Sequence, residues 1–169
     1  MINMANAMTK LKKTEFIPFL DTSDSGSSSE VWSRIDKSTI FALNANAQTE
    51  DYDYICNELP VTEVKNYLPE LPQEIALYEG NPVYDFVSDM FYELPVGAEC
   101  IKAVLICFGG TGNKAWRTDA TIVLQELNTV DGKLTFTIKF SGNIERGTYT
   151  ITSGKPTFTA RTSTTQSEE

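Results

Sequence analysis

The sequence contains no histidine. That removes the side chain most often used as a general base near neutral pH, and the commonest metal ligand with it. Cysteine is scarce. Cys56, Cys100 and Cys107 are odd in number and widely spaced, with no CxxC pair for zinc and no basis for a disulfide framework. They are expected to be free, buried thiols in a reducing compartment. Basic residues are short as well: 14 Lys and Arg stand against 23 Asp and Glu, a net charge of −9. A protein that grips nucleic acid by its phosphates needs the opposite balance, because counterion release requires cations. Long hydrophobic runs are missing too. The longest strictly apolar run is AVLICF, far below the roughly 20 residues of a membrane span. The opening MINMANAMTKLKK places its charges after a broken apolar stretch, unlike a signal peptide, and there is no N-glycosylation sequon. The chain is therefore expected to be made, and at first kept soluble, in a cytoplasm.

What is present is enough for one folded domain. The 169 residues are 41% hydrophobic and 11% aromatic, a globular composition able to bury a core without staples. Residues 1–30 read as a flexible N-terminal arm ending in the Ser-rich DTSDSGSSSE, 31–160 as the folded body, and 161–169 as a flexible tail. The body is mainly strand-like: VWSRID, TIFALN, DYDYIC, KAVLICF, GTYTIT and KPTFTA are rich in β-branched and aromatic residues. Pro69 and Pro72 argue against a regular strand or helix across TEVKNYLPELPQEIALYEG, which reads as a long excursion. ATIVLQELNTVDGKLTFTIKFSG reads as a β-hairpin turning at Asp131-Gly132. Leu134, Phe136, Ile138 and Phe140 share one face of its second arm. The first arm is less orderly, because Val123 and Leu127 fall opposite to Ile122 and Leu124. One helix is expected at about 82–94, capped by Asn81, started by Pro82 and carrying an apolar face of Val83, Phe86, Val87, Met90, Phe91 and Leu94. The pattern as a whole predicts a β-sandwich or barrel with one flanking α-helix.

Several motifs invite chemistry and fail its requirements. FGGTGNKA lacks the glycine before lysine and the hydroxyl after it that a phosphate loop needs, so it reads as a turn between strands. DTSDSGSSSE has the sixth-position glycine of a calcium loop but Trp32 where a bidentate Glu belongs. No GxSxG elbow occurs, and no pair among the 23 carboxylates is singled out as acid and base. No catalytic residue, cofactor or metal is expected. Trp32 and Trp116 are candidates for sugar stacking or a subunit interface, although strand-like surroundings favour core or edge packing. Arg34, Arg117 and Asp119 join them as candidate interface residues.

Taken in order, these pieces resemble a known family. Trp32, Arg34 and Ile35, then TEDYDYICNELPVTEVKNY, then the Gly-x-Pro helix entry in YEGNPVYDFV, then KAWRTDATIVLQEL and SGNIERGTYTI follow one another as in the major tail (tail tube) proteins of long non-contractile-tailed bacteriophages. The likeness is to those of lactococcal siphophage type, with Gly142, Gly147 and Thr148 at a matching turn. The resemblance implies a virion structural protein whose hexameric rings stack into a tube for DNA. The implied partners are copies of itself and tape-measure, tail-terminator and distal-tail proteins, with DNA passing unbound and no membrane contact. Glu126 is the candidate lumen-facing residue, and Lys139 would need a carboxylate beside it there. The alternative is a monomeric, carbohydrate-binding β-sandwich.

Overall fold

The computed structural model describes residues 8–24 and 26–162. Residues 1–7 and 163–169, assigned above to flexible ends, lie outside them. Among the described residues nine strands and one α-helix follow in order: β1 Ile17–Asp21, β2 Trp32–Arg34, β3 Ala47–Tyr52, β4 Val61–Tyr67, β5 Glu70–Ala76, α1 Pro82–Glu93, β6 Ile101–Cys107, β7 Lys114–Asn128, β8 Lys133–Thr152 and β9 Lys155–Ala160. The fold is mainly β with one helix, as the sequence pattern predicts.

The main sheet runs β2-β1-β6-β7-β8-β5, with β9 paired to β8. Its two ends nearly meet. The chain leaving β2 returns to β5: the Ala76 N–H donates to the Lys37 carbonyl at 3.1 Å and the Thr39 N–H to Glu74 at 3.0 Å. Asn44 and Glu70 exchange both backbone bonds at 2.9 Å. The sheet is thereby almost a closed barrel, which leaves few exposed edges.

Two corrections follow from this closure. β1 belongs to the body and not to a flexible arm: it lies between β2 and β6, with Phe19 and Leu20 fully buried. β5 is a strand despite Pro72. Its even-numbered residues turn their backbone groups toward 37–44, so the missing N–H of Pro72 falls in the gap between the two bridges there. Pro18 is tolerated similarly. It sits where the β1–β2 ladder ends, and only its carbonyl is used, accepting from Ile35.

The sheet buries both faces. Leu20, Val104, Ile106, Ala120, Ile122, Leu134, Phe136 and Ile138 point inward with Leu71 and Ile75. α1 packs into the same cluster through Val83, Val87 and Met90. On the opposite face Ile17, Phe19, Leu105, Cys107 and Ala115 form a second core, covered by Trp32, Tyr149 and Phe158. AVLICF is continuous in sequence because β6 is covered on both sides. Each fully buried Leu, Ile or Phe contributes about 1.5–3 kcal/mol. The Asn81 side chain caps α1 by accepting from the Tyr84 N–H at 3.1 Å, worth about 1 kcal/mol, and Leu94 ends it in a left-handed conformation.

Two irregularities shape the long hairpin. One extra residue in β7 lies between Leu124 and Glu126, so side chains beyond it change face and Leu127 comes opposite Leu134. The disorder of the first arm is this bulge; Val123 stays on the outer face. Two extra residues in β8 lie opposite Thr118, around Gly142, whose φ is +68°. They bend β8, and its far half with β9 carries Tyr149 and Phe158 to the second core. Gly142 is thus at a bulge and Gly147 and Thr148 are within a strand, not at a turn. The hairpin turn is also longer than expected. Asn128 pairs with Lys133, and the Asn128 carboxamide accepts from Val130 and Asp131 at 3.0 Å, with Gly132 alone at positive φ.

Candidate assembly surfaces

β3 and β4 form a sheet of their own, and not one of their residues is buried. Thr49 faces Val64, Glu50 faces Glu63 and Tyr52 faces Val61. The repulsion between the two glutamates is relieved by Lys65, whose ammonium lies 3.5 Å from Glu50 and 3.0 Å from Glu63, 4.6 Å from the Tyr52 ring centroid. Its pKa is raised, first by the hydrogen bond to the Tyr52 hydroxyl and then by Glu63. The tip exposes Tyr54, Ile55 and Leu59, the last two at 108% and 76%. A lone two-stranded ribbon is marginal in water, and among the described residues none buries its apolar side chains.

The second feature centres on Trp116. Phe108 and Phe140 meet its ring edge-on at centroid distances of 5.0 and 6.4 Å, and the Arg146 guanidinium lies 5.9 Å from its centroid. Two cavities of about 700 and 750 Å³ flank this stack and share Trp116 and Arg146 as lining. The first also carries Lys114 and Arg161 and no carboxylate. Among the described residues none of these three cations makes an ion pair. The second cavity borders the foot of the ribbon at Ala45, Tyr67 and Leu68.

The residues singled out in the sequence are divided by the fold. Trp32 is half-buried in the second core, on the face opposite Trp116. Arg34 is exposed at the end of β2. Arg117 is used internally: it pairs with Glu30 and lies 3.8 Å from Glu145, tying the Ser-rich loop to the barrel. Asp119 is exposed opposite Ser141, and Glu126 is exposed just beyond the β7 bulge. Lys139 is exposed, facing Glu70 and Thr121 across the sheet. The Ser-rich loop is held by the Asp21 carboxylate, which accepts from the Ser23 and Val31 N–H groups at 2.9 and 3.0 Å. That use closes the loop and is unlike a calcium ligand. The phosphate-loop mimic is the β6–β7 turn, and there the glycine is required by packing: a Cβ on Gly109 would come within 2.9 Å of Glu15 and Phe16. Cys107 is buried and Cys100 half-buried, but Cys56 is exposed on the ribbon tip, contrary to expectation. Lys114, Arg146 and Arg161 escape a sequence reading because they meet only through the β7–β8–β9 pairing.

No protein-family model matches the sequence, and neither does any curated protein sequence. Among solved structures, a chain of the cryo-EM structure of the anti-feeding prophage (AFP) baseplate, 6-fold symmetrised, is similar at 10% identity and a TM-score of 0.48. The match covers 86% of this chain and 98% of that one. Among the described residues no helix is long and apolar enough to cross a membrane.

Proposed function

We propose that this chain is a structural subunit of a phage tail, assembling into hexameric rings that stack into a tube for DNA. The observation that carries this reading is the β3–β4 ribbon. It projects Val61, Val64 and Tyr67 into solvent at 39%, 49% and 57% exposure, and among the described residues no strand pairs with either outer edge. Such an element gains its stability from a partner, and assembly supplies one. The ordered resemblance of the body to tail tube proteins supports the same reading. The net charge of −9 suits a conduit for a polyanion, since every added cation at the lumen would retain DNA. Only carboxylates within about 8–10 Å of the DNA act on it at physiological salt.

The carbohydrate-binding alternative has less support. A sugar-stacking tryptophan needs an open face. Trp32 is half-buried against a core, and neither cavity beside Trp116 carries a carboxylate or carboxamide to receive sugar hydroxyls. The test is negative-stain electron microscopy of the purified chain across a concentration series without ligand. Hollow rings or tubes are expected. Monomers at every concentration, together with saturable binding in a glycan screen, would replace this reading with the binding module.

A further inference from the structure

From the two unpartnered surfaces together, we infer that the ribbon tip of one copy, Asp53–Leu59, docks into the Trp116–Arg146 groove of a second copy. The inference rests on the self-assembly reading above and names the contact that would produce it.

The two surfaces are complementary in charge and in polarity. From Asp51 to Pro60 the chain carries Asp51, Asp53 and Glu58 and no cation. The groove carries Lys114, Arg146 and Arg161 and no carboxylate, on a chain whose net charge is −9. Three cations with no ion pair among the described residues, gathered at one cavity of an acidic protein, are a local inversion of its field. The apolar parts also match. The tip offers Ile55 and Leu59, and the groove offers Phe108 and the Trp116 ring. An aromatic in a pocket rimmed by charge is the usual form of a strong interface contact.

The contact has to be made between copies. The foot of the ribbon borders the second cavity at Tyr67 and Leu68, across Trp116 and Arg146 from the cationic one, while six residues of β3 carry the tip about 20 Å away at about 3.4 Å per residue. A tip cannot reach its own groove without folding the ribbon back on itself. Different patches meeting head to tail form a heterologous interface, which closes into rings or continues as a stack.

Cys56 already places a thiol on the tip, exposed. The experiment adds Thr159→Cys at the groove rim in a Cys100→Ser background and treats the assembled protein with a short bismaleimide, read on a denaturing gel. Thr159 is exposed and lines the cavity. Asp89→Cys, exposed on α1, is the control position. Held thiols have effective concentrations in the millimolar range, so a ladder of cross-linked dimers and higher species is expected at least about tenfold faster than in the control. Cys56→Ser should abolish it. Assemblies visible by microscopy with no ladder above the control would overturn the docking while leaving self-assembly standing. A cross-linked monomer would overturn it by placing tip and groove on one chain. A protein that never assembles would overturn both.

Discussion

The hydroxyl of Thr118 lies 3.0 Å from the carbonyl oxygen of Ser141 and 3.3 Å from that of Asn143. Thr118 is 2% exposed and stands opposite the two extra residues of β8, so its one donor serves backbone acceptors that the bulge removes from the ladder. The bend it secures is what brings Tyr149 and Phe158 over the second core. Thr118→Val keeps the shape and deletes the donor. The expected loss is about 0.5–1.5 kcal/mol, the net worth of an ordinary hydrogen bond, because Ser141 and Asn143 are exposed. Urea melts of the two proteins measure it, and a change below about 0.5 kcal/mol, within the range of an ordinary surface substitution, would show that the bulge is satisfied without the hydroxyl.

Gly147 secures the same region by its lack of a side chain. A Cβ there would lie 2.1 Å from the Thr159 carbonyl oxygen and 2.8 Å from the Phe158 ring. The ring can turn away, but the carbonyl belongs to the β8–β9 ladder. Gly147→Ala is expected to cost about 1–3 kcal/mol or more and to separate β9 from β8. Faster hydrogen exchange confined to 147–160 would report it; unchanged exchange there would contradict the packing described.

Burial pushes the Cys107 thiol up to about 12 from the ordinary 9.0, against a smaller opposing effect of the Arg34 charge. The folded state therefore holds this proton more tightly than the unfolded state. The contribution is fully present below pH 9 and is lost as pH rises through about 12, the raised value. Wild-type stability should fall in that window with an added slope of up to about 1.4 kcal/mol per pH unit that is absent from Cys107→Val. Parallel slopes in the two proteins would mean that the thiol titrates normally. Below that window, a thiol reagent should modify Cys56 at once and Cys107 only on unfolding.

The helix was the most legible element. Asn81, Pro82 and the spacing of Val83, Val87 and Met90 are local signals, and local hydrogen bonding and one buried stripe decide a helix. The β elements depend on distant partners, and there the sequence misleads in specific ways. Pro72 looks like a breaker, yet it presents its missing N–H where no ladder needs it. The β7 bulge at Gln125 has no glycine to mark it, so the change of face at Leu127 is visible only in the register. The acidic ribbon reads in sequence as the strand-like DYDYIC and a proline-bearing excursion. Its standing alone could not be read, because exposure on both faces looks in sequence like a loop. Trp116 was singled out, but its cationic neighbours converge from β7, β8 and the residue after β9.

The central claim is that the ribbon is the element through which copies of this chain assemble. Sedimentation velocity of the full chain beside a variant with residues 47–67 replaced by a short Gly-Ser loop between Asn46 and Leu68 tests it most directly. Neither β3 nor β4 contributes a buried residue, so the barrel should remain folded in the variant. The account predicts large, concentration-dependent species for the full chain and a folded monomer for the variant. Equal sedimentation of the two, whether both assemble or both stay monomeric, would contradict it.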